Sequence, residues 1–158
     1  MDGGRIELMT IPIRPPDDDD GPILGALFEV GHLPARLSTN NLDAEIKLLI
    51  GYRIGRWVFA ANPEIGFKVS GNGSGAQPDL SNKIKIGYRV NNAYSIGLEH
   101  YSELGQLRRI GPLNQQSQQT FAVVDFKRKG KDFNIGIRHG SNDFSARMAI
   151  KDIVSFPF

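Results

Sequence analysis

Apolar and polar residues alternate with a period of two along about nine segments, near 5–13, 22–30, 44–54, 57–69, 80–90, 94–102, 119–127, 132–139 and 146–158. Over 44–54 the even positions are Ala44, Ile46, Leu48, Ile50, Tyr52 and Ile54, and the odd ones are Glu45, Lys47, Leu49, Gly51 and Arg53. Successive side chains of a strand point to opposite faces, so such a segment has one greasy wall and one charged wall. The fourth segment repeats the pattern, with Trp57, Phe59, Ala61, Pro63, Ile65, Phe67 and Val69 on one side. Most segments run about nine to eleven residues or more, long enough to cross a bilayer at a tilt and longer than ordinary globular strands. The pattern predicts an all-β chain, an antiparallel up-and-down transmembrane β-barrel of about nine strands, in one domain over 1–158. Pro63 cannot donate a ladder hydrogen bond, which predicts a bulge or a break in the fourth strand.

The connections alternate too. Gly55-Arg56, Asn91-Asn92-Ala93 and Arg128-Lys129-Gly130-Lys131 have tight-turn compositions. Between them fall the long polar links 31–43, 70–79 and about 103–118. Short turns on one rim and long loops on the other are the pattern of outer-membrane barrels, with the short side periplasmic. Nine strands is an odd number, whereas bacterial single-chain barrels use even ones. Parity and the lack of a signal-peptide pattern at MDGGRIELMT together lead to the expectation of an N-terminally incomplete barrel, the C-terminal part of a longer one, placed in the bacterial outer membrane.

Composition narrows the function classes more than it selects one. No stretch approaches the length of a membrane-spanning apolar helix. A mean hydropathy of −0.28 fits a wall of which only alternate residues meet lipid. The chain has no cysteine, hence no disulfide framework and no thiolate metal site. A net charge of +2 without a basic stripe among exposed aromatics does not point to nucleic acid. The four carboxylates Asp17–Asp20 before Gly21-Pro22 lack the spacing of a calcium loop. His32 and His100 have no zinc-ligand spacing. No cofactor or metal is expected.

With the greasy wall turned to lipid, the charged wall lines the barrel interior. Parity places Glu45, Lys47, Arg53, Glu64, Lys68, Lys83, Lys85, Arg89, Glu99, Arg138, Arg147 and Lys151 there, nine basic residues against three acidic. Rings of Lys and Arg bias a wet pore towards anions; paired across strands, the same charges would plug a closed barrel. The lipid-facing wall and its aromatic girdles would carry Tyr52, Trp57, Phe59, Phe67, Tyr88, Tyr94, Phe133, Phe156 and Phe158. Glycines on the polar wall (Gly51, Gly66, Gly87, Gly97 and Gly136) would make room among long side chains.

The stretches GRWVFAANPEIGF at 55–67, GLEHYSELGQLRRI at 97–110, QQTFAVVDF at 118–126 and NIGIRHGSNDFSARMAIKDIVSFPF at 134–158 resemble a group of uncharacterised Gram-negative outer-membrane β-barrel proteins of porin-like or transporter-like type. The resemblance implies fold and location, with no catalytic signature. The last strand, with Met148, Ile150, Val154, Phe156 and a terminal Phe158, is similar to the signal read by the barrel-assembly machinery. Expected partners are therefore that machinery and outer-membrane lipid. The function this implies is a passive pore or transporter for small, in part anionic, solutes, or a structural envelope protein, and not an enzyme.

Two other readings follow from particular residues. His139-Gly140-Ser141-Asn142 resembles a stretch of the outer-membrane lipid A deacylases, in which a His activates a Ser nucleophile and a carboxylate orients it. Here the nearby downstream acid, Asp152, has the parity of the greasy wall. A soluble calycin-like barrel would instead turn the apolar wall inward around a ligand.

Overall fold

The computed structural model describes residues 4–16, 19–32, 40–71, 74–140 and 148–155. Among the described residues, nine strands form one antiparallel sheet that follows the chain order and curls into a half-barrel. They are β1 (Gly4–Ile13), β2 (Gly21–His32), β3 (Asn40–Ile54), β4 (Trp57–Gly71), β5 (Asp79–Arg89), β6 (Tyr94–Gln106), β8 (Ser117–Arg128), β9 (Lys131–Gly140) and β10 (Met148–Ser155). A two-residue strand, β7 (Arg109–Ile110), hangs off β6, so that β6 pairs directly with β8. The all-β meander read from the periodicity is the observed fold, with β1 and β10 as its two edges.

Strand ends differ from expectation where polar residues continue a strand without an apolar partner wall. β3 starts at Asn40, and β6 runs on through Ser102 and Glu103 to Gln106, where Gly105 (φ +99°) turns the chain towards β7. Pro63 neither bulges nor breaks β4. It pairs with Asn82 of β5, and on the β3 side the register is unchanged between Lys47↔Glu64 and Ile50↔Ala61, with the ladder pairs between them missing. A proline keeps an extended φ while lacking the N–H, so it interrupts hydrogen bonding without shifting register.

The connections 55–56, 90–93 and 129–130 are on one rim, and the C-terminal ends of β2, β4, β6 and β9 are on the other, with 74–78 and 107–116. Lys129 (φ +51°) and Gly130 (φ +73°) both occupy the left-handed region, the requirement of a two-residue type I′ hairpin. Residues 14–16, 19 and 20, between β1 and β2, share the short-turn rim. They are tied there by the Gly55 N–H, which donates to the Asp20 carboxylate at 2.5 Å, and by Arg53 Nη1, which donates to the Pro16 carbonyl at 2.8 Å.

Cross-strand pairs share a face, so the register sorts every side chain. One face carries Ile46, Ile50, Phe59, Ile86, Leu98 and Ile137, each more than 40% exposed. The other carries Lys47, Glu64, Lys85, Glu99, Arg138 and Lys151. Strands β6 and β10 are three steps apart, roughly 14 Å in a flat sheet. Yet the Lys151 ammonium meets the Glu99 carboxylate, so the sheet curls with the charged face inside. The buried hydrophobic side chains among the described residues, Leu27, Phe121 and Val123, are on that inner face as well.

Candidate functional site

Glu99 is the centre of the inner face and has no exposed surface. Its neighbour across the ladder on β5 is Lys85, and Lys83 is two residues away on the same face. Lys85 Nζ is 3.0 Å and Lys83 Nζ 3.3 Å from the Glu99 oxygens, while Lys151 Nζ arrives from β10. The Tyr101 hydroxyl donates to Glu99 at 2.7 Å, and Asn134 Nδ2 donates to it at 3.1 Å. A second carboxylate, Asp125 on β8, accepts from Lys85 at 2.6 Å and from Asn134 at 2.5 Å. Around this network, ammonium groups lie over aromatic rings: Lys83 and Lys151 are 5.1 and 5.5 Å from the centre of Tyr101, and Lys151 is 5.3 Å from that of Phe121. Such contacts stabilise a desolvated cation by about 0.5–2 kcal/mol each. Arg138 hydrogen-bonds Gln119 and faces the Phe121 ring, leaving its buried Nε–H without an acceptor.

Close packing of this kind needs small residues beside large ones. At Gly136 an added Cβ would come within 2.9 Å of the Val123 side chain and 3.4 Å of the Phe121 ring. Gly66 and Gly87, by contrast, have room for a methyl group. The inner-face glycines therefore do not all relieve crowding.

The charges divide along the strands into two unlike halves. Towards the short-turn rim lies a groove of about 700 Å³ whose lining includes Arg53, Lys83, Lys85 and Arg89, with Glu99, Asp125 and Asp132 as its acids. Towards the long-loop rim lies one of about 530 Å³, where Asp43, Glu45, Glu64, Asp79 and Glu103 outnumber Arg5 and Lys68. Here Lys47 pairs with Glu64 at 2.6 Å, Lys68 with Asp79 at 3.0 Å, and Arg5 with Glu29.

Of the twelve charged residues assigned to one wall from parity, Glu45, Lys47, Arg53, Glu64, Lys68, Lys83, Lys85, Arg89, Glu99, Arg138 and Lys151 share the inner face. Arg147, Phe156 and Phe158 lie outside the described residues, as do Ser141 and Asn142 of the His-x-Ser-Asn segment. Asp152 pairs with Ile135 and takes the outer face. Sequence reasoning missed the acids that balance this wall. Glu29, Asp43, Asp79, Glu103 and Asp125 share the inner face, so the nine-to-three basic excess is replaced by a balanced but polarised surface.

Tyr52, Trp57, Phe59, Phe67, Tyr88, Tyr94 and Phe133 all take the outer face. Six of them, all but Phe67, gather near the short-turn rim, joined by Phe126, which the sequence reading had not singled out. Trp57 contacts Tyr88 edge-on at 5.0 Å, and Phe126 stacks on Phe133 at 4.8 Å and on Tyr94 at 5.9 Å. A calycin-like cavity would need Ile46 and Ile86 inside; they face outward, 42% exposed in each case. Comparison with protein-family models, with curated proteins and with solved structures finds no match to this chain.

Proposed function

We propose that this chain forms part of the wall of a transmembrane β-barrel in a Gram-negative outer membrane, whose polar interior serves as a passive pore for small solutes. One observation carries the reading: the large apolar side chains are exposed on the outer face, while a buried carboxylate and its half-buried lysines lie on the inner one. A water-soluble protein rarely leaves so broad an apolar surface uncovered, and such surfaces mark contact with lipid or a partner. Strands of 8–15 residues match the span of a tilted bilayer crossing. The aromatic band supports the same reading, because Trp and Tyr rings settle at the membrane–water boundary.

Trp57 is the chain's single tryptophan and sits in that band, so it reports on the environment directly. Refolded into vesicles, the protein should show Trp57 fluorescence quenched by lipids brominated near the headgroup and shielded from aqueous iodide. Cysteine at position 86 should label from the lipid phase and cysteine at 85 should not. A chain that stays monomeric in water without detergent, with Trp57 open to iodide, would overturn the reading.

A further inference from the structure

Three ammonium groups share two carboxylates at the centre of the inner face. Lys83, Lys85 and Lys151 converge on Glu99, and Lys85 also reaches Asp125. Among the described residues that leaves one more ammonium than carboxylate, on side chains only 31%, 23% and 14% exposed. A half-desolvated cation without its own counter-charge is costly, and an anion brought to it recovers part of that cost. The surplus opens on the short-turn side. Lys83 and Lys85 line the 700 Å³ groove there, and Arg53 and Arg89 continue the positive lining towards the rim. Among the described residues, the acids lining this groove are Glu99 and Asp125, engaged by the lysines, and Asp132, 3.8 Å from Lys127, while Arg53 donates to the Pro16 carbonyl.

We propose that this groove binds a small oxyanion carrying two or more negative charges, of the phosphate or dicarboxylate class, at the Lys83 and Lys85 ammonium groups, within the wider positive lining that includes Arg53 and Arg89. Ammonium and guanidinium groups make their strongest hydrogen bonds to such oxygens. The Lys83 and Lys85 ammonium groups stand on the inner face, while Tyr94, Phe126 and Phe133 of the outer face border the groove at the rim. The ligand proposed is a free anion, and binding by headgroup phosphates of a lipid in place of inorganic phosphate or succinate would count against it. Its meaning as a solute site rests on the pore reading; the binding itself needs only the folded sheet.

The test is calorimetric titration of the full chain, refolded in detergent, with inorganic phosphate in a chloride background, and with succinate as the dicarboxylate. Saturable binding of one or both is expected. Replacing both Lys83→Gln and Lys85→Gln should weaken it at least about tenfold, the worth of one charge-assisted contact. Lys47→Gln in the acidic half should leave it unchanged, and Lys83→Arg should retain it, which separates lost charge from lost folding. No saturable binding by protein with intact strand circular dichroism would overturn the proposal, as would an equal loss on Lys47→Gln. Planar-bilayer recording separates the two readings. Conductance that phosphate and succinate neither bind to nor block sinks the anion site and keeps the pore. Anion binding without conductance keeps the site and sinks the pore.

Discussion

Glu99 is held by three lysines, a tyrosine hydroxyl and an asparagine amide while being wholly removed from solvent. Breaking a buried pair by removing one partner leaves the other charges uncompensated, and such losses run to about 3–5 kcal/mol. Glu99→Gln removes the hub and leaves the Lys83 and Lys151 ammonium groups without the carboxylate they share, while Lys85 keeps Asp125. Lys151→Met removes one of three cations and leaves Glu99 still paired. We therefore expect Glu99→Gln to destabilise the protein by about 3–5 kcal/mol and Lys151→Met by clearly less, read from urea unfolding in detergent or vesicles. Equal, small effects would mean the hub carries no weight. Parity alone put Glu99, Lys83, Lys85 and Lys151 on one wall. It did not identify Glu99 as the hub, because the link from β10 to β6 depends on sheet curvature, which no local pattern encodes.

At the scale of strands, the alternation was legible wherever a polar wall faced an apolar one, as in β3, β5 and β9. β8 hid its inner face. Phe121 and Val123 point inward beside Asp125, so FAVVDF reads as an apolar run and its carboxylate went uncounted. Asp43, Asp79 and Glu103 were missed for another reason, since they lie at strand ends assigned to the long loops. The β5–β6 pair offers a sharper test of how close these backbones approach. A Cβ on Gly97 would come within 2.6 Å of the Ile86 carbonyl oxygen and 3.2 Å of the Gly87 Cα, both of them backbone atoms, whereas on Gly87 its nearest neighbour would be 3.8 Å away. Gly97→Ala must therefore push the two strands apart, and overpacking of this kind costs about 1–3 kcal/mol. Gly87→Ala should cost less than about 1 kcal/mol. Unfolding midpoints of the two variants compare them directly, and an order reversed from this one would show that the strands have slack there.

At the scale of the molecule, β1 and β10 run in the same direction, because nine strands alternate in sense along the sheet. Direct closure between them would be parallel, whereas antiparallel closure takes an odd number of further strands. Either way, the charge pattern of the inner face runs along the barrel axis: basic residues line the groove near the short-turn rim, acidic ones the groove near the long-loop rim. A conduit with fixed cations at one end and fixed anions at the other treats the two directions of current differently. One polarity drives mobile ions of both signs into the ends that attract them, and the other empties the middle. The proposed pore should therefore rectify in planar bilayers. The effect should be strong at 0.01 M salt, where the screening length is about 30 Å, and should fade at 1 M, where it is about 3 Å. Replacing Glu45 and Glu64 together by Gln would weaken the acidic end and reduce the asymmetry, whereas a symmetric current at low salt would show that the two halves do not lie in series along one conduit.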